Sequence, residues 1–299
     1  MHNSALQKKK VRTASLSIFS NITLILLKVI AGVLSGSVSI ISEAIHSGMD
    51  LLAAIIAFLS VKISGMPPDK NHQYGHGKFE NVSGVIEALL IFVAAGWIIY
   101  EAVKKIMHPI MPDQLAIGTL VMGISALVNF FVSRRLYKVG KETDSVALEA
   151  DGLHLKTDVY TSLGVAAGLS LIWITGIELL DPIVAILVAL LILRESYILL
   201  KKAYTPLLDT PLPDDETKLI EEAINLHLTS GMSYHMLRSR KAGAKRYVDL
   251  HLEVPGEITV NESHHLCDTI ENEIEKKLQN IEVYIHIEPS ENTIQKIKN

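Results

Sequence analysis

Long apolar segments fill the first two hundred residues of the chain, whereas polar and charged residues dominate after Asp209. Each apolar segment has about the ~20 residues that a helix needs to cross a lipid bilayer. The segments cover residues 14–34, 38–63, 82–103, 115–133, 147–174 and 179–200. The pattern predicts an α-helical membrane protein with six transmembrane helices, and an even number of spans puts both chain ends on the same side.

The polar C-terminal part alternates between helical and strand-like periodicity. Prolines in segment 206–213 end the helical pattern that precedes them. The elements predicted beyond this segment are a helix that follows Asp214 and Asp215 and ends near 228, strands at 233–241 and 246–254, a helix at 261–279 and a strand at 283–288. This αββαβ order is typical of a small α+β domain with helices on one face of a three-stranded sheet. We therefore predict a membrane domain at 1–205, a linker at 206–213, a C-terminal domain at 214–290 and a tail at 291–299.

Lysine and arginine fall mostly on one set of the predicted loops. They are Lys8, Lys9, Lys10, Arg12, Lys70, Lys78, Arg134, Arg135, Lys138, Lys141, Lys201 and Lys202. The opposite loops, near Gly36, Met111 and Gly176, hold neither residue type, and Lys104 with Lys105 is the exception. The positive-inside rule then predicts that both termini and the C-terminal domain are cytoplasmic. The absence of a long targeting segment or a histidine-rich loop favours a prokaryotic plasma membrane.

Composition limits the chemistry that the chain can support. Hydrophobic residues make up 49% of the chain and charged residues 20%, which agrees with a membrane protein. The net charge of -4 gives no reason to expect a nucleic acid partner. The single cysteine, Cys267, excludes an intrachain disulfide and a cysteine-based zinc cluster, so we interpret it as a core residue. Imidazole and carboxylate groups must therefore supply any metal site.

Two helical segments carry the same pair of residue types four positions apart, His46 with Asp50 and His154 with Asp158. This spacing puts both side chains of a pair on one helical face. Ionisable groups are costly inside membrane spans and usually mark functional sites. Two imidazoles and two carboxylates suit a tetrahedral zinc-like ion, and protons would compete for the same imidazoles. The alternative is that neighbouring helices satisfy the histidines while the aspartates face a water-filled crevice.

Two further groups of residues are candidate metal ligands. Asp69, His72 and His76 combine a carboxylate and two imidazoles in the loop after the second span, although a polar loop can carry such residues without a metal. Several histidines and one glutamate are scattered over the C-terminal domain, where His251 and His286 could share one face of the sheet beside His264. The full set is His235, His251, His264, His265, His286 and Glu288. Chance surface histidines are the alternative interpretation there.

These elements together resemble the cation diffusion facilitator family of divalent-metal/proton antiporters. The resemblance rests on the paired His-x-x-x-Asp elements, the stretch Tyr74-Gly75-His76-Gly77-Lys78-Phe79-Glu80 and the ending Ile285-His286-Ile287-Glu288-Pro289. It implies a homodimer of six-helix protomers in the lipid bilayer, each with a metallochaperone-like cytoplasmic domain.

The resemblance also implies roles for individual residues. His46, Asp50, His154 and Asp158 correspond to the transport site between the second and fifth helices, which we call the membrane site. Asp69, His72 and His76 correspond to a loop site. His235, His251, His264, His286 and Glu288 correspond to a binuclear site that joins the dimer, here the C-terminal site. Lys78 and Asp209 correspond to a charge interlock near the membrane face.

The sequence departs from the family pattern at two positions. Many bacterial zinc/iron relatives have aspartate where His46 stands, and His46 instead resembles zinc-selective members, in agreement with the preference of zinc for imidazole. Aspartate is common in the family at the position of Glu288, which makes occupancy of the C-terminal site an open question.

The expected function is proton-coupled efflux of zinc from the cytoplasm, with iron, cadmium, cobalt and nickel left open as substrates. Zinc would also serve as a structural or regulatory ion, and protons would be the counter-ion. An intramembrane metalloenzyme is the first alternative, but it would need an open metal position, and the His-Glu-x-x-His motif is absent from the sequence. A metal sensor without transport is the second.

Overall fold

The computed structural model describes residues 2–35, 38–107, 116–177 and 179–290. The loop positions Gly36 and Met111 and the predicted tail at 291–299 lie outside the described residues. The chain divides into two compact units, a membrane unit at Met1–Tyr204 and a C-terminal unit at Thr205–Asn299.

Within its described residues, the membrane unit contains six long helices, which agree with the six apolar segments. They are α1 (His2–Ser35), α2 (Val38–Ser64), α3 (Lys78–Met107), α4 (Ala116–Thr143), α5 (Val146–Thr175) and α6 (Leu180–Tyr204). Among the described residues, four helical stretches are long and apolar enough to cross a membrane, namely Ala5–Leu34, His46–Ser64, Lys78–Met107 and Leu180–Leu208. Helices α4 and α5, with 28 and 30 residues, are also long enough to cross a bilayer.

Neighbouring helices pack in three main pairs, α1 with α2, α3 with α6 and α4 with α5. The contact between α4 and α5 is close because Gly152 has no side chain. A Cβ at this position would lie 3.0 Å from Cδ2 of Tyr137. The hydroxyl of Ser133 also donates to the Gly152 carbonyl at 2.7 Å. This contact fixes the helical segment that carries His154 and Asp158.

A polar network around Glu80 joins helices α1, α2 and α3 of the membrane unit to the residue that precedes α5. The Lys10 ammonium of α1 lies 2.9 Å from Oε1 of Glu80, and these two side chains are only 8% and 1% exposed. Ser64 at the end of α2 donates to the same carboxylate at 2.7 Å, and Ser145, just before α5, donates to its other oxygen. Because Lys10, Glu80 and Ser145 are buried and Ser64 is partly buried, the network restricts how these helix ends can separate.

Lys105, one of the two lysines that depart from the loop pattern of basic residues, has a carboxylate partner. Lys105 of α3 forms an ion pair with Asp181 at the start of α6, with 2.5 Å between Nζ and Oδ2. The carboxylate offsets the lysine charge locally. The positive-inside rule counts lysine and arginine and gives little weight to acidic residues, so the two lysines stay an exception to it.

The C-terminal unit is the predicted α+β domain, and its element order is confirmed. Its elements are α7 (Asp214–Asn225), β1 (Ser233–Ala242), β2 (Lys245–Val254), α8 (Val260–Lys277) and β3 (Ile281–Pro289). Strand β2 is central, antiparallel to β1 and parallel to β3. Buried side chains of β2 such as Leu250 and Leu252 pack in one core with those of α7 and α8. Thr259 and Glu262 form a reciprocal capping box at the start of α8.

Candidate metal centres

The structure brings the two His/Asp pairs of the membrane unit together. Ligand atoms of His46, Asp50 and Asp158 lie within 4.8 Å of one another. Nε2 of His154 lies 3.0 Å from Oδ1 of Asp50, which joins α5 to α2. All four residues proposed for the membrane site thus meet at one place, because each pair occupies one face of its helix. Their role as metal ligands stays a prediction.

Three of these residues border a cavity of about 90 Å³ between helices α1, α2, α4 and α5, and His154 contacts one of the three, Asp50. Its lining includes His46, Asp50 and Asp158 together with the polar side chain of Asn129, whose amide donates to Oδ2 of Asp158 at 3.1 Å. Asp50 is buried, whereas His46 is exposed. Two carboxylates balance the charge of a divalent ion, and two imidazoles complete a tetrahedral donor set. The arrangement can therefore hold such an ion without leaving net charge on the ligands.

Sequence reasoning missed three buried ionisable residues of the membrane unit. Lys28 of α1 lines the cavity, and its ammonium donates to Oγ of Ser47 at 2.7 Å. Glu87 of α3 and Asp151 of α5 are both fully buried, and each accepts a hydrogen bond from a serine hydroxyl. All three residues stand inside predicted apolar segments, so the cost of burying charge in a membrane span could have identified them.

The loop residues Asp69, His72 and His76 also lie together. Nδ1 of His72 and Nε2 of His76 are each 3.3 Å from an oxygen of Asp69. The backbone N–H groups of Asn71 and His72 donate to Oδ1 of Asp69 at 2.8 and 2.7 Å. These hydrogen bonds, above all the one from His72, lower the pKa of Asp69. The loop therefore holds an ionised carboxylate between two imidazoles.

Three histidines form a row across the sheet of the C-terminal unit. His235 of β1 pairs with His251 of β2, which pairs with His286 of β3, so all three side chains point to the face opposite the helices. Their ring centroids are 5.2 and 4.8 Å apart. Glu288 lies among them, with its carboxylate 2.9 Å from Nδ1 of His251. Ligand atoms of His235, His251 and Glu288 lie within 4.8 Å of one another.

A bulge in β1 sets the position of His235 in this row. The pairing of β1 with β2 shifts by one residue between His235 and Arg238, and Met236 adopts a positive φ of 53° there. Bulges of this kind re-aim side chains, and they are frequent near functional sites. No pattern in the sequence indicated this bulge.

Two other predicted residues lie apart from these clusters. His264 belongs to α8, which packs on the opposite face of the sheet, and its Nε2 lies 3.6 Å from Asp268. Asp209 lies 3.6 Å from Arg240 within the C-terminal unit. The membership of His264 in the C-terminal site and the interlock of Lys78 with Asp209 stay predictions.

A bundle of long apolar helices around a polar cavity, followed by a small α+β domain, is the architecture of a polytopic membrane protein. The family model described as the cation efflux transmembrane domain matches residues 14–208. The model for the cation efflux protein cytoplasmic domain matches residues 212–290. The chain belongs to the cation efflux family, and it is a multi-pass membrane transporter and not an enzyme. The predicted family and fold class are confirmed.

Similar proteins extend over nearly the whole chain. An uncharacterized transporter of Synechocystis sp. is 36% identical over 278 residues, which cover 93% of this chain and 90% of the relative. The cation-efflux pump FieF of Shewanella oneidensis is 28% identical and covers 91% of this chain and 92% of its own length. A solved structure of CzrB, a candidate zinc transporter, is 30% identical but covers only 26% of this chain and 98% of its own. Its TM-score is 0.25, so the structural match adds nothing to the assignment.

Proposed function

We propose that the protein exports divalent metal cations, zinc first among them, from the cytoplasm in exchange for protons. The observation that carries the proposal is the convergence of His46, Asp50 and Asp158 from α2 and α5 on one cavity, with His154 of α5 in contact with Asp50. The donor set suits zinc because it combines imidazole with carboxylate in a number that closes a tetrahedron. Iron, cadmium, cobalt and nickel remain alternative substrates for the same ligands.

Proton exchange follows from the chemistry of imidazole. A histidine must be neutral to bind a metal, so protons and metal ions compete for His46 and His154. A site that faces the cytoplasm exchanges protons for metal, and the same site facing the other side of the membrane exchanges metal for protons. Rocking of helix groups around the site would supply this alternating access. Since the ligands come from two helices, a change in the spacing of α2 and α5 would alter metal affinity directly.

The proposed arrangement includes a homodimer with cytoplasmic termini in the plasma membrane. The match of residues 212–290 to the cytoplasmic domain of cation efflux proteins supports the location of the C-terminal unit. The histidine row with Glu288 would bind zinc as a structural or regulatory ion, and the loop site would hold a further ion near the membrane face. Both groups of ligands lie on sites separate from the transport path that we propose.

Transport by purified protein in sealed liposomes tests the proposal. Zinc outside, with an acidic interior, should drive zinc entry and proton exit through transporters whose cytoplasmic side faces outward. We expect His154→Ala to abolish both fluxes because it removes an imidazole from the membrane site. His265→Ala is the matched control, since this histidine lies on α8 outside the ligand clusters described above.

The two fluxes separate the proposal from its alternatives. Unchanged zinc flux in His154→Ala would refute the assignment of the membrane site. A metalloenzyme or a sensor would produce no metal-dependent proton flux in the wild-type protein. Zinc flux without proton flux would agree with metal efflux but would refute the exchange of metal for protons.

A further inference from the structure

Helix α4 carries two polar side chains that line the cavity of the membrane unit. Ser125 and Asn129 stand four positions apart on this helix and so lie on one helical face. Both border the cavity of about 90 Å³, and they are only 7% and 6% exposed. Within the described part of the chain, neither Oγ of Ser125 nor Oδ1 of Asn129 has a hydrogen-bond partner. A buried acceptor without a partner is unfavourable, so these two oxygens indicate that the cavity receives a ligand.

The hydrogen bond of Asn129 determines which end of its amide is free. The amide nitrogen donates to Oδ2 of Asp158 at 3.1 Å. A carboxylate only accepts hydrogen bonds, so the nitrogen must face Asp158 and the carbonyl oxygen is the end that is left over. Asp158 is a proposed ligand of the membrane site, and its ligand atom lies within 4.8 Å of those of His46 and Asp50. The free carbonyl group therefore stands beside the ligand set, on a helix that supplies none of its four members.

A neutral carbonyl oxygen adds a different chemistry to this set. Two imidazoles and two carboxylates complete a tetrahedron, which is the usual arrangement around zinc. Carbonyl oxygen suits harder divalent ions, which bind more than four ligands. Because an amide carries no charge, a fifth ligand of this type raises the coordination number and leaves the charge balance between the ion and the two carboxylates unchanged.

We propose that Oδ1 of Asn129 is a direct oxygen ligand of the transported cation, so that α4 joins α2 and α5 in building the membrane site. This inference rests on the proposed transport function. The amide N–H of the same side chain orients Asp158, so Asn129 positions a charged ligand and supplies a neutral one. The fifth ligand extends the substrate range to divalent cations that four ligands do not satisfy, with Co²⁺ as the example tested here.

Competition between two cations for transport by the full-length protein in liposomes tests the proposal. The measured quantity is the Ki of Co²⁺ as an inhibitor of zinc uptake, divided by the KM of Zn²⁺. Asn129→Leu has a similar volume but no carbonyl group, so this ratio should rise by roughly tenfold, because zinc keeps four ligands and cobalt loses its fifth. A residue that only positioned Asp158 would raise both constants by the same factor and leave the ratio unchanged. Asn129→Asp retains an oxygen at this position, so its ratio should stay below that of Asn129→Leu.

Thr161→Val is the matched control. Thr161 lines the same cavity, but its hydroxyl already donates to the backbone carbonyl of Asp158 at 3.0 Å. This substitution also removes a polar group from the cavity without changing the size of the side chain. We expect the ratio of the two constants to keep its wild-type value.

The visible absorption of bound Co²⁺ is a second, independent measurement. Tetrahedral cobalt absorbs much more strongly than five-coordinate cobalt, so the spectrum reports the number of ligands. Subtracting the spectrum of His154→Ala removes the contribution of cobalt bound at the loop site and the C-terminal site. We expect weak absorption from the wild-type protein, and strong absorption from Asn129→Leu after the same subtraction in its own background.

Each result decides the proposal. An unchanged ratio in Asn129→Leu, an equal rise in Thr161→Val, or no inhibition of wild-type transport by Co²⁺ overturns it. Strong tetrahedral absorption from the wild-type protein also overturns it, and this spectrum decides alone if Asn129→Leu does not fold. Absence of zinc transport in the wild type, or full transport in His154→Ala, refutes the proposed function. Normal wild-type transport with an unchanged ratio in Asn129→Leu refutes only the role of Asn129.

Discussion

Replacing Glu80 with alanine should destabilise the membrane unit by about 3–5 kcal/mol, the usual cost of breaking a buried ion pair from one side. The substitution would leave the ammonium of Lys10, whose side chain is 8% exposed, without its carboxylate. It would also remove the acceptor for the hydroxyls of Ser64 and Ser145. Lys10→Met combined with Glu80→Leu should recover most of the loss, since no uncompensated charge then stays buried.

The matched control is an exposed ion pair whose lysine directly precedes Lys10 in the sequence. Lys9 forms a pair with Glu142, with both side chains 40% exposed, so Glu142→Ala should give no resolvable change. Unfolding of detergent-solubilised protein, followed by the loss of helical circular dichroism on titration with SDS, measures both variants. Equal destabilisation by Glu80→Ala and Glu142→Ala would refute the reasoning that burial determines the cost. A double mutant no more stable than Glu80→Ala would refute the explanation by uncompensated charge.

Three further predictions concern groups outside the membrane spans. Burial raises the pKa of the Cys267 thiol to about 11, so maleimide labelling of the native protein should be slow at pH 7 and should accelerate with each pH unit up to that pKa. Labelling should become fast after unfolding, and fast labelling of the native protein at pH 7 would contradict the prediction. The lowered pKa of Asp69 implies that its carboxylate stabilises the loop above the unfolded-state pKa near 3.8, and that this stabilisation is lost as the pH falls through the folded-state pKa. Amide hydrogen exchange at residues 71–72 should then become faster, and in Asp69→Asn it should be fast at every pH. Zinc at about 100 times its Kd should stabilise the C-terminal unit by about 2.7 kcal/mol in thermal unfolding, and His251→Ala but not His265→Ala should abolish this gain.

Periodicity predicted the elements because each helix and strand here has one strongly apolar face or is apolar throughout. The predicted strand at 246–254 and the observed β2 (Lys245–Val254) differ by one residue, since alternation defines a half-buried strand well. The polar start of α1 was not predicted as helix. It is stabilised by partners distant in sequence, among them Glu80 for Lys10 and the Val61 carbonyl for Gln7.

The sequence likewise predicted some features of the candidate sites and missed others. Spacing along one helix brings His46 and Asp50 onto one face, so the pairs could be found from local sequence alone. The approach of Lys28 to Ser47 depends on how α1 packs against α2, which no local pattern contains. For His264, the sequence could not show which face of the sheet its helix covers. A helix can cover either face of a sheet, and α8 covers the face that the histidine row does not use.

The bulge in β1 makes the C-terminal histidine row depend on the number of residues in the strand as well as on their identity. If the regular pairing of Arg238 with Asp249 continued without a shift, Met236 would stand opposite His251 and His235 would point toward the helices. With the number of residues unchanged, a regular ladder would thus place a thioether in the row where the bulge now places an imidazole. Deletion of Met236 or Leu237 would remove the bulge and leave His235 opposite His251, so a related chain that lacks the extra residue would keep the same row with a regular strand.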